Sequence, residues 1–215
     1  MESLLPLSSL SLFFAGTLIL LITPGPAVLY IVARSVDQGR RAGVVSVLGI
    51  QTGTLVHVIA AALGLSALLF ASAELFTLVK YLGAAYLIYL GIKTLMERKT
   101  VDASKPVERR SLGAIYRQGV IVAILNPKTA LFFLAFLPQF VDPSRGSVGV
   151  QFLLLGIMFT ALAACTDGTW AILSGTAGNW LKRSPHFLRA QKTISGTVYI
   201  GLGLVTAFSG GDHQT

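Results

Sequence analysis

The sequence predicts an all-α membrane protein with six transmembrane helices, arranged as two inverted three-helix repeats whose first and fourth helices are broken at the bilayer midplane. Of its 215 residues, 53% are hydrophobic and only 12% are charged, and the mean hydropathy is +0.73. Soluble domains carry about 25% charged residues, so this composition is typical of a membrane protein. Two short proline breaks, 23–26 and 126–128, interrupt apolar segments at corresponding places in the two halves.

Six apolar segments are long enough to cross a bilayer, which takes about 20 residues in a helix. A polar stretch separates the first three from the last three, so we expect one transporter domain over residues 1–215. It consists of repeat one at 7–96, a cytoplasmic loop at 97–112 and repeat two at 113–209. The predicted spans are 7–33, 42–72, 75–96, 113–140, 148–181 and 193–209.

Three spans in each half have a geometric consequence. An odd number makes the second half enter the membrane from the opposite side, so the two halves form an inverted pair. The broken first and fourth spans then occupy equivalent places about a pseudo-two-fold axis. This is the architecture of alternating-access secondary transporters.

The two breaks predict a binding site. Proline inside a helix costs about 3 kcal/mol, and in lipid the freed backbone groups must face protein or a water-filled cavity. Helix N-termini suit a carboxylate, whereas unwound carbonyls suit an ammonium group or a proton. We therefore expect substrate contacts at Pro24, Gly25, Pro26, Asn126 and Pro127. The alternative for each break is a purely structural kink.

Two charged residues inside spans extend this prediction. Lys128 lies near the middle of span four, where a buried cation costs about 2.5–3.5 kcal/mol. We expect it to hold a substrate carboxylate or to pair with Asp167; the alternative is that its head reaches the interface. Asp167 in span five is the predicted proton carrier or ammonium partner, because an intramembrane carboxylate is a functional candidate by default. Its alternative is a fixed ion pair.

Span two carries further polar residues. His57 is a candidate proton relay because imidazole exchanges a proton near neutral pH, although a histidine hydrogen-bonded between helices is the alternative. Gln51 is a candidate substrate contact, with interhelical hydrogen bonding as its alternative. Gly49-x-x-x-Gly53 allows close helix packing, either within the chain or between two copies in a homodimer.

The basic residues predict the orientation. Fourteen of the 17 lie on one side of a six-span chain, which by the positive-inside bias is cytoplasmic and leaves both termini periplasmic. They are Arg34, Arg40, Arg41, Lys93, Arg98, Lys99, Lys105, Arg109, Arg110, Arg117, Lys182, Arg183, Arg189 and Lys192.

Composition and motifs disfavour other function classes. The net charge of +8 comes from inter-helix loops and not from one basic face, so we expect no nucleic acid partner. No serine-protease or zinc-protease motif occurs, and one buried aspartate is too few for an aspartyl protease, so we expect no catalytic residues. One cysteine gives no metal-ligand pattern, and we expect neither a metal site nor a cofactor. An exporter of inorganic cations and a non-transporting membrane scaffold are the competing functions.

Several strings carry a family resemblance when taken together and in order. They are Thr23-Pro24-Gly25-Pro26, Gly49-Ile50-Gln51-Thr52-Gly53 with His57, Lys80-Tyr81-Leu82-Gly83-Ala84-Ala85-Tyr86-Leu87, Asn126-Pro127-Lys128 and Phe136-Leu137-Pro138-Gln139-Phe140. The chain resembles the LysE/RhtB family of amino-acid exporters over nearly its whole length. The resemblance implies export of threonine, homoserine, homoserine lactone, branched-chain or basic amino acids across the bacterial inner membrane, driven by proton antiport.

Overall fold

The regular secondary structure of the described residues is entirely helical. The computed structural model describes residues 7–67, 72–96 and 109–183, together with isolated helical positions between 193 and 208. Most of the predicted central loop and of the sixth span therefore lies outside the described residues. The helices are α1 (Leu7–Ile22), α2 (Pro26–Ala60), α3 (Ala73–Met96), α4 (Leu112–Ile124), α5 (Pro127–Leu131) and α6 (Val148–Arg183).

Three irregular segments extend or connect these helices. A π-helical turn, Ala61–Leu65, continues α2. A second π-helical turn, Phe132–Phe136, and a 3-10 turn, Leu137–Phe140, continue α5. Another 3-10 turn, Pro143–Arg145, leads into α6.

Both predicted breaks are present and share one construction. α1 ends at Ile22, and α2 starts at Pro26 after an extended Gly25. α4 ends at Ile124, and α5 starts at Pro127 after an extended Asn126, with a bend of 42° between the two helices. In each case the proline is the first residue of the new helix, where its missing N–H removes no hydrogen bond.

A helical hairpin within α2 replaces the first predicted loop. The chain reverses at Gly39 (φ 82°, ψ 176°), a conformation that favours glycine. The reversal brings Gly43 against Ser35, eight positions earlier. The boundary predicted at residue 33 is therefore wrong: the first limb of α2 continues to residue 38, and Arg34 is 4% exposed instead of lying in a loop. The Arg34 guanidinium donates to Gln118 Oε1 at 2.9 Å and so links this limb to α4.

The described helices include segments suited to a bilayer. Pro26–Leu65 and Val148–Thr176 each contain a segment long and apolar enough to cross one, and the bent pair Leu112–Ile124 and Pro127–Phe140 adds a third crossing if it is counted as one span. Leu10–Ile22 is a shorter apolar helix. The described residues thus form an all-helical membrane protein, and the six-span inverted repeat stays a prediction.

Small residues allow α2 to approach α4 closely. A Cβ atom on Gly49 would overlap the backbone oxygen of Tyr116, and one on Gly53 would lie 2.5 Å from the backbone oxygen of Val120. Gly119 of α4 faces the same contact from the other side. The Gly49-x-x-x-Gly53 motif is therefore used within the chain, where it brings the second limb of α2 against the second repeat.

We predict that Gly53→Ala lowers the free energy of unfolding by about 1–3 kcal/mol, because the added methyl group must displace backbone. Gly64→Ala is the matched control, since a Cβ there meets nothing within 4 Å. Thermal unfolding in detergent should show a lower midpoint for Gly53→Ala alone. Equal midpoints for the two variants would contradict the close helix contact.

Candidate functional site

The two proline breaks meet at one cavity. It lies between the α1–α2 break, the start of α5 and the middle of α6, and its volume is about 30 Å³. That volume holds only one or two water molecules, so a larger solute needs the helices to move apart. The cavity is lined by Leu20, Leu21, Gly25, Ala27, Val28, Ile50, Thr54, Asn126, Lys128, Thr129, Phe159, Ala163 and Asp167.

Lys128 joins one break to the other. Its side chain is 6% exposed, and its ammonium group donates to the backbone oxygen of Thr23 at 2.5 Å. The last carbonyls of a helix have no intrahelical partner, and the C-terminal end of α1 attracts a cation. Lys128, the second residue of α5, therefore gives the carbonyl at the end of α1 a hydrogen-bond partner. This contact joins the two halves of the chain.

Asn126 holds the start of α5 in place. Its side-chain oxygen accepts from the Lys128 amide at 3.1 Å, which caps the helix at the residue before Pro127. Asn126 is 3% exposed and lines the cavity. The cap fixes the backbone from which the Lys128 side chain reaches Thr23.

Asp167 is the acidic counterpart of Lys128. It is 5% exposed on α6, and its Oδ2 accepts a hydrogen bond from Gln51 Nε2 of α2 at 2.9 Å. Among the described residues, Asp167 accepts no other hydrogen bond, and it forms no direct ion pair with Lys128. Both side chains line the same cavity, so two opposite charges border it without neutralising each other by contact.

Some of the predicted site residues line the cavity, and others do not. Gly25, Asn126, Lys128 and Asp167 line it, and Gln51 reaches it through its bond to Asp167. The prolines at 24, 26 and 127 shape the backbone and are not among the lining residues.

His57 lies apart from the cavity. Its Nε2 is 3.1 Å from the backbone oxygen of Ala123 near the end of α4, and its ring stacks on Phe133 at 6.1 Å between ring centres. His57 thus contacts the residues around the second break but does not line the cavity. This contact between α2 and α4 is of the kind expected if His57 has the alternative role, a hydrogen bond between helices.

Sequence reasoning missed part of the lining. Phe159 and Ala163 precede Asp167 at intervals of four residues and so share its helix face, a spacing that would have identified them. Thr129 directly follows the predicted break. The sequence gives no indication that Thr54 lines the cavity, because its position there depends on how α2 is rotated.

A second polar network ties α2 to α4 on the side that carries the basic residues. The Tyr30 hydroxyl donates to the backbone oxygen of Ile115 at 2.6 Å. The Gln38 amide bridges the Arg110 backbone, donating to its oxygen at 2.8 Å and accepting from its N–H at 2.9 Å. Together with the hydrogen bond from Arg34 to Gln118, these contacts hold α2 to α4 on that side of the cavity.

Comparisons with known proteins agree with the membrane character of the fold. The family model of the LysE type translocators matches residues 18–210. An uncharacterised membrane protein of Bacillus subtilis is 32% identical over 201 residues, covering 88% of this chain and 94% of that protein.

Two further relatives match over similar lengths. An uncharacterised membrane protein of Vibrio cholerae is 31% identical, covering 86% of this chain and 90% of its own length. A protein of Salmonella typhimurium named homoserine/homoserine lactone efflux protein is 29% identical, covering 88% and 91%. No solved structure matches the chain.

We predict that Lys128 and Asp167 stabilise each other. Removing either charge leaves the other buried without a counter-charge, which is destabilising. In a double-mutant cycle with Lys128→Met and Asp167→Asn, the interaction energy from thermal unfolding should be at least about 1 kcal/mol.

The pair Asp142 and Arg145 is the control cycle, since its atoms are 3.0 Å apart but its side chains are 29% and 42% exposed. Exposed pairs contribute about 0–1 kcal/mol. Additive effects at Lys128 and Asp167 would show that the two charges do not interact across the cavity.

Proposed function

The chain belongs to the LysE type translocators, and we propose that it is a secondary transporter that exports small neutral amino acids across the bacterial inner membrane in exchange for protons. Its family consists of transporters and not of enzymes, which confirms the expectation that the chain is not an enzyme. The observation that carries the proposal is the pair of buried opposite charges, Lys128 and Asp167, bordering one cavity without direct contact.

A zwitterion matches this pair. The Lys128 ammonium group has three N–H donors, and the Thr23 carbonyl takes one of them. The remaining donors suit the carboxylate of an amino acid. Asp167 Oδ1 accepts no hydrogen bond from the described residues, so it suits the substrate ammonium. Each buried charge would then gain the partner that burial requires.

The remaining lining residues favour a neutral side chain. Lys128 and Asp167 are the charged residues of the lining, and the others are apolar or carry a hydroxyl or amide group. A basic substrate such as lysine would bury a second cation with no acid to meet it, which is costly. Homoserine and threonine fit the lining better, and the relative from Salmonella typhimurium is named for homoserine efflux.

Proton coupling follows if a proton and the substrate ammonium compete for Asp167. A carboxylate that has bound a proton no longer attracts an ammonium group, so protonation favours release and deprotonation favours binding. If Asp167 faces each side of the membrane in turn, inward flow of protons drives outward flow of substrate. The Gln51 amide holds the carboxylate at 2.9 Å while this exchange occurs.

The proposed orientation places the basic loops in the cytoplasm and both termini in the periplasm, in accordance with the positive-inside bias. Residues of one chain form the cavity, so transport in this scheme does not need a second copy. A homodimer therefore stays a separate prediction. An exporter of inorganic cations would need several oxygen ligands, and the cavity lining has one carboxylate.

We predict that proteoliposomes containing the protein release L-homoserine when a pH gradient is imposed, and that Asp167→Asn abolishes this gradient-driven flux. The variant cannot exchange a proton at the cavity. Exchange of labelled for unlabelled substrate without a gradient is the companion measurement, and we expect Asp167→Asn to retain part of it. Full gradient-driven flux in Asp167→Asn would exclude Asp167 as the proton carrier, and absence of flux in the unmodified protein would refute the proposed function.

We predict that Lys128→Met weakens L-homoserine binding about 10- to 100-fold, the loss expected for hydrogen bonds to a charged group. Homoserine lactone, which has no carboxylate, should bind with a change of less than about 3-fold, within the spread of a neutral contact. Calorimetry in detergent measures both affinities. Equal weakening of the two ligands would mean that Lys128 supports the fold and does not hold the carboxylate.

A further inference from the structure

One hydroxyl at the cavity has no hydrogen-bond partner among the described residues. Thr129 is 9% exposed and lines the cavity, and its side chain forms no hydrogen bond with the described residues. Most other described threonines behave differently, since their hydroxyls donate to a carbonyl one turn earlier in the chain. They are Thr23, Thr52, Thr54, Thr160, Thr166, Thr169 and Thr176.

The second break explains why Thr129 differs. It is the third residue of α5, so the residue four positions earlier is Leu125, which lies in the non-helical turn between α4 and α5. The helix that would have presented the Leu125 carbonyl bends away by 42°. A hydroxyl that would be satisfied in a continuous helix is thus left free to bind something in the cavity.

The surroundings of this hydroxyl restrict what it can bind. Val28, Ile50 and Phe159 give the cavity an apolar wall, against which a short aliphatic chain can lie. The Thr54 hydroxyl donates to the Ile50 carbonyl at 3.0 Å and so retains only acceptor capacity. Thr129 therefore supplies the uncommitted hydroxyl of the lining, next to the Lys128 ammonium in the chain.

We propose that Thr129 is a specificity-determining residue, whose hydroxyl binds a hydroxyl on the substrate side chain and so selects short hydroxylated amino acids over apolar isosteres. This inference rests on the proposed function, because it assumes that Lys128 and Asp167 hold the amino-acid head group. If the substrate carries a methyl group in place of its hydroxyl, the Thr129 hydroxyl has no hydrogen-bond partner in the complex, which disfavours the isostere.

L-Norvaline is the matched probe, because it carries a methyl group where L-homoserine carries its hydroxyl. The experiment measures exchange of labelled L-homoserine in proteoliposomes and its inhibition by unlabelled L-homoserine and L-norvaline. We expect the unmodified protein to prefer L-homoserine by about 3- to 10-fold, the value of one neutral hydrogen bond. Thr129→Val should remove this preference by weakening L-homoserine without weakening L-norvaline, whereas Thr129→Ser should retain it.

Thr17→Val is the control variant. Thr17 is fully buried and its hydroxyl also has no partner, but it does not line the cavity. The same substitution there should leave the preference intact. If Thr129→Val fails to insert in the membrane, Thr129→Ala removes the same hydroxyl and is measured in its place.

The outcomes separate this inference from the proposed function. A preference kept by Thr129→Val, or equal weakening of both ligands, overturns the role of Thr129. Exchange of both amino acids with no preference in the unmodified protein also overturns it, while leaving amino-acid transport in place. Absence of exchange with any small amino acid refutes the proposed function, and the inference fails with it.

Discussion

The hydrogen bond from the Lys128 ammonium group to the Thr23 carbonyl is the contact on which the centre of the molecule depends. Two interrupted helices in an apolar protein create two sets of unpaired backbone groups, and in lipid neither set can turn to water. Here the interruption in one half provides the acceptor and the interruption in the other provides the donor. The two breaks, far apart in the chain, are therefore in direct contact in the folded protein.

The helices that hold this contact are positioned by glycine and by aromatic packing. The reversal at Gly39 returns the chain so that the second limb of α2 runs beside the first, and the small face at Gly49 and Gly53 brings it against α4. On the extension of α5, Phe132 and Phe136 pack with ring centres 5.1 Å apart and planes tilted by 35°. Gln51 and Asp167 then meet because α2 and α6 both cross beside the breaks.

The two ends of the bundle differ in how they are held. Towards the basic ends, Tyr30, Arg34 and Gln38 hold α2 to α4 through hydrogen bonds that water can replace. Away from the breaks, Phe13 and Phe140 pack edge to face at 5.4 Å within the aromatic cluster, which separates only by exposing apolar surface. Polar contacts therefore hold one end of the bundle, and aromatic packing holds the other.

The sequence by itself determined the helical class, the positions of both breaks and the identity of the two charges at the cavity. These follow from local rules: proline cannot continue the hydrogen bonding of the helix before it, and a charge within an apolar run must find a partner. The separation of His57 from the cavity, the bond between Gln51 and Asp167, the contribution of Thr54 and the burial of Arg34 were decided by the tertiary structure alone. The rotation of each helix selects which residues face inward, and that rotation is fixed by packing between segments far apart in the chain, such as Gly53 against Val120.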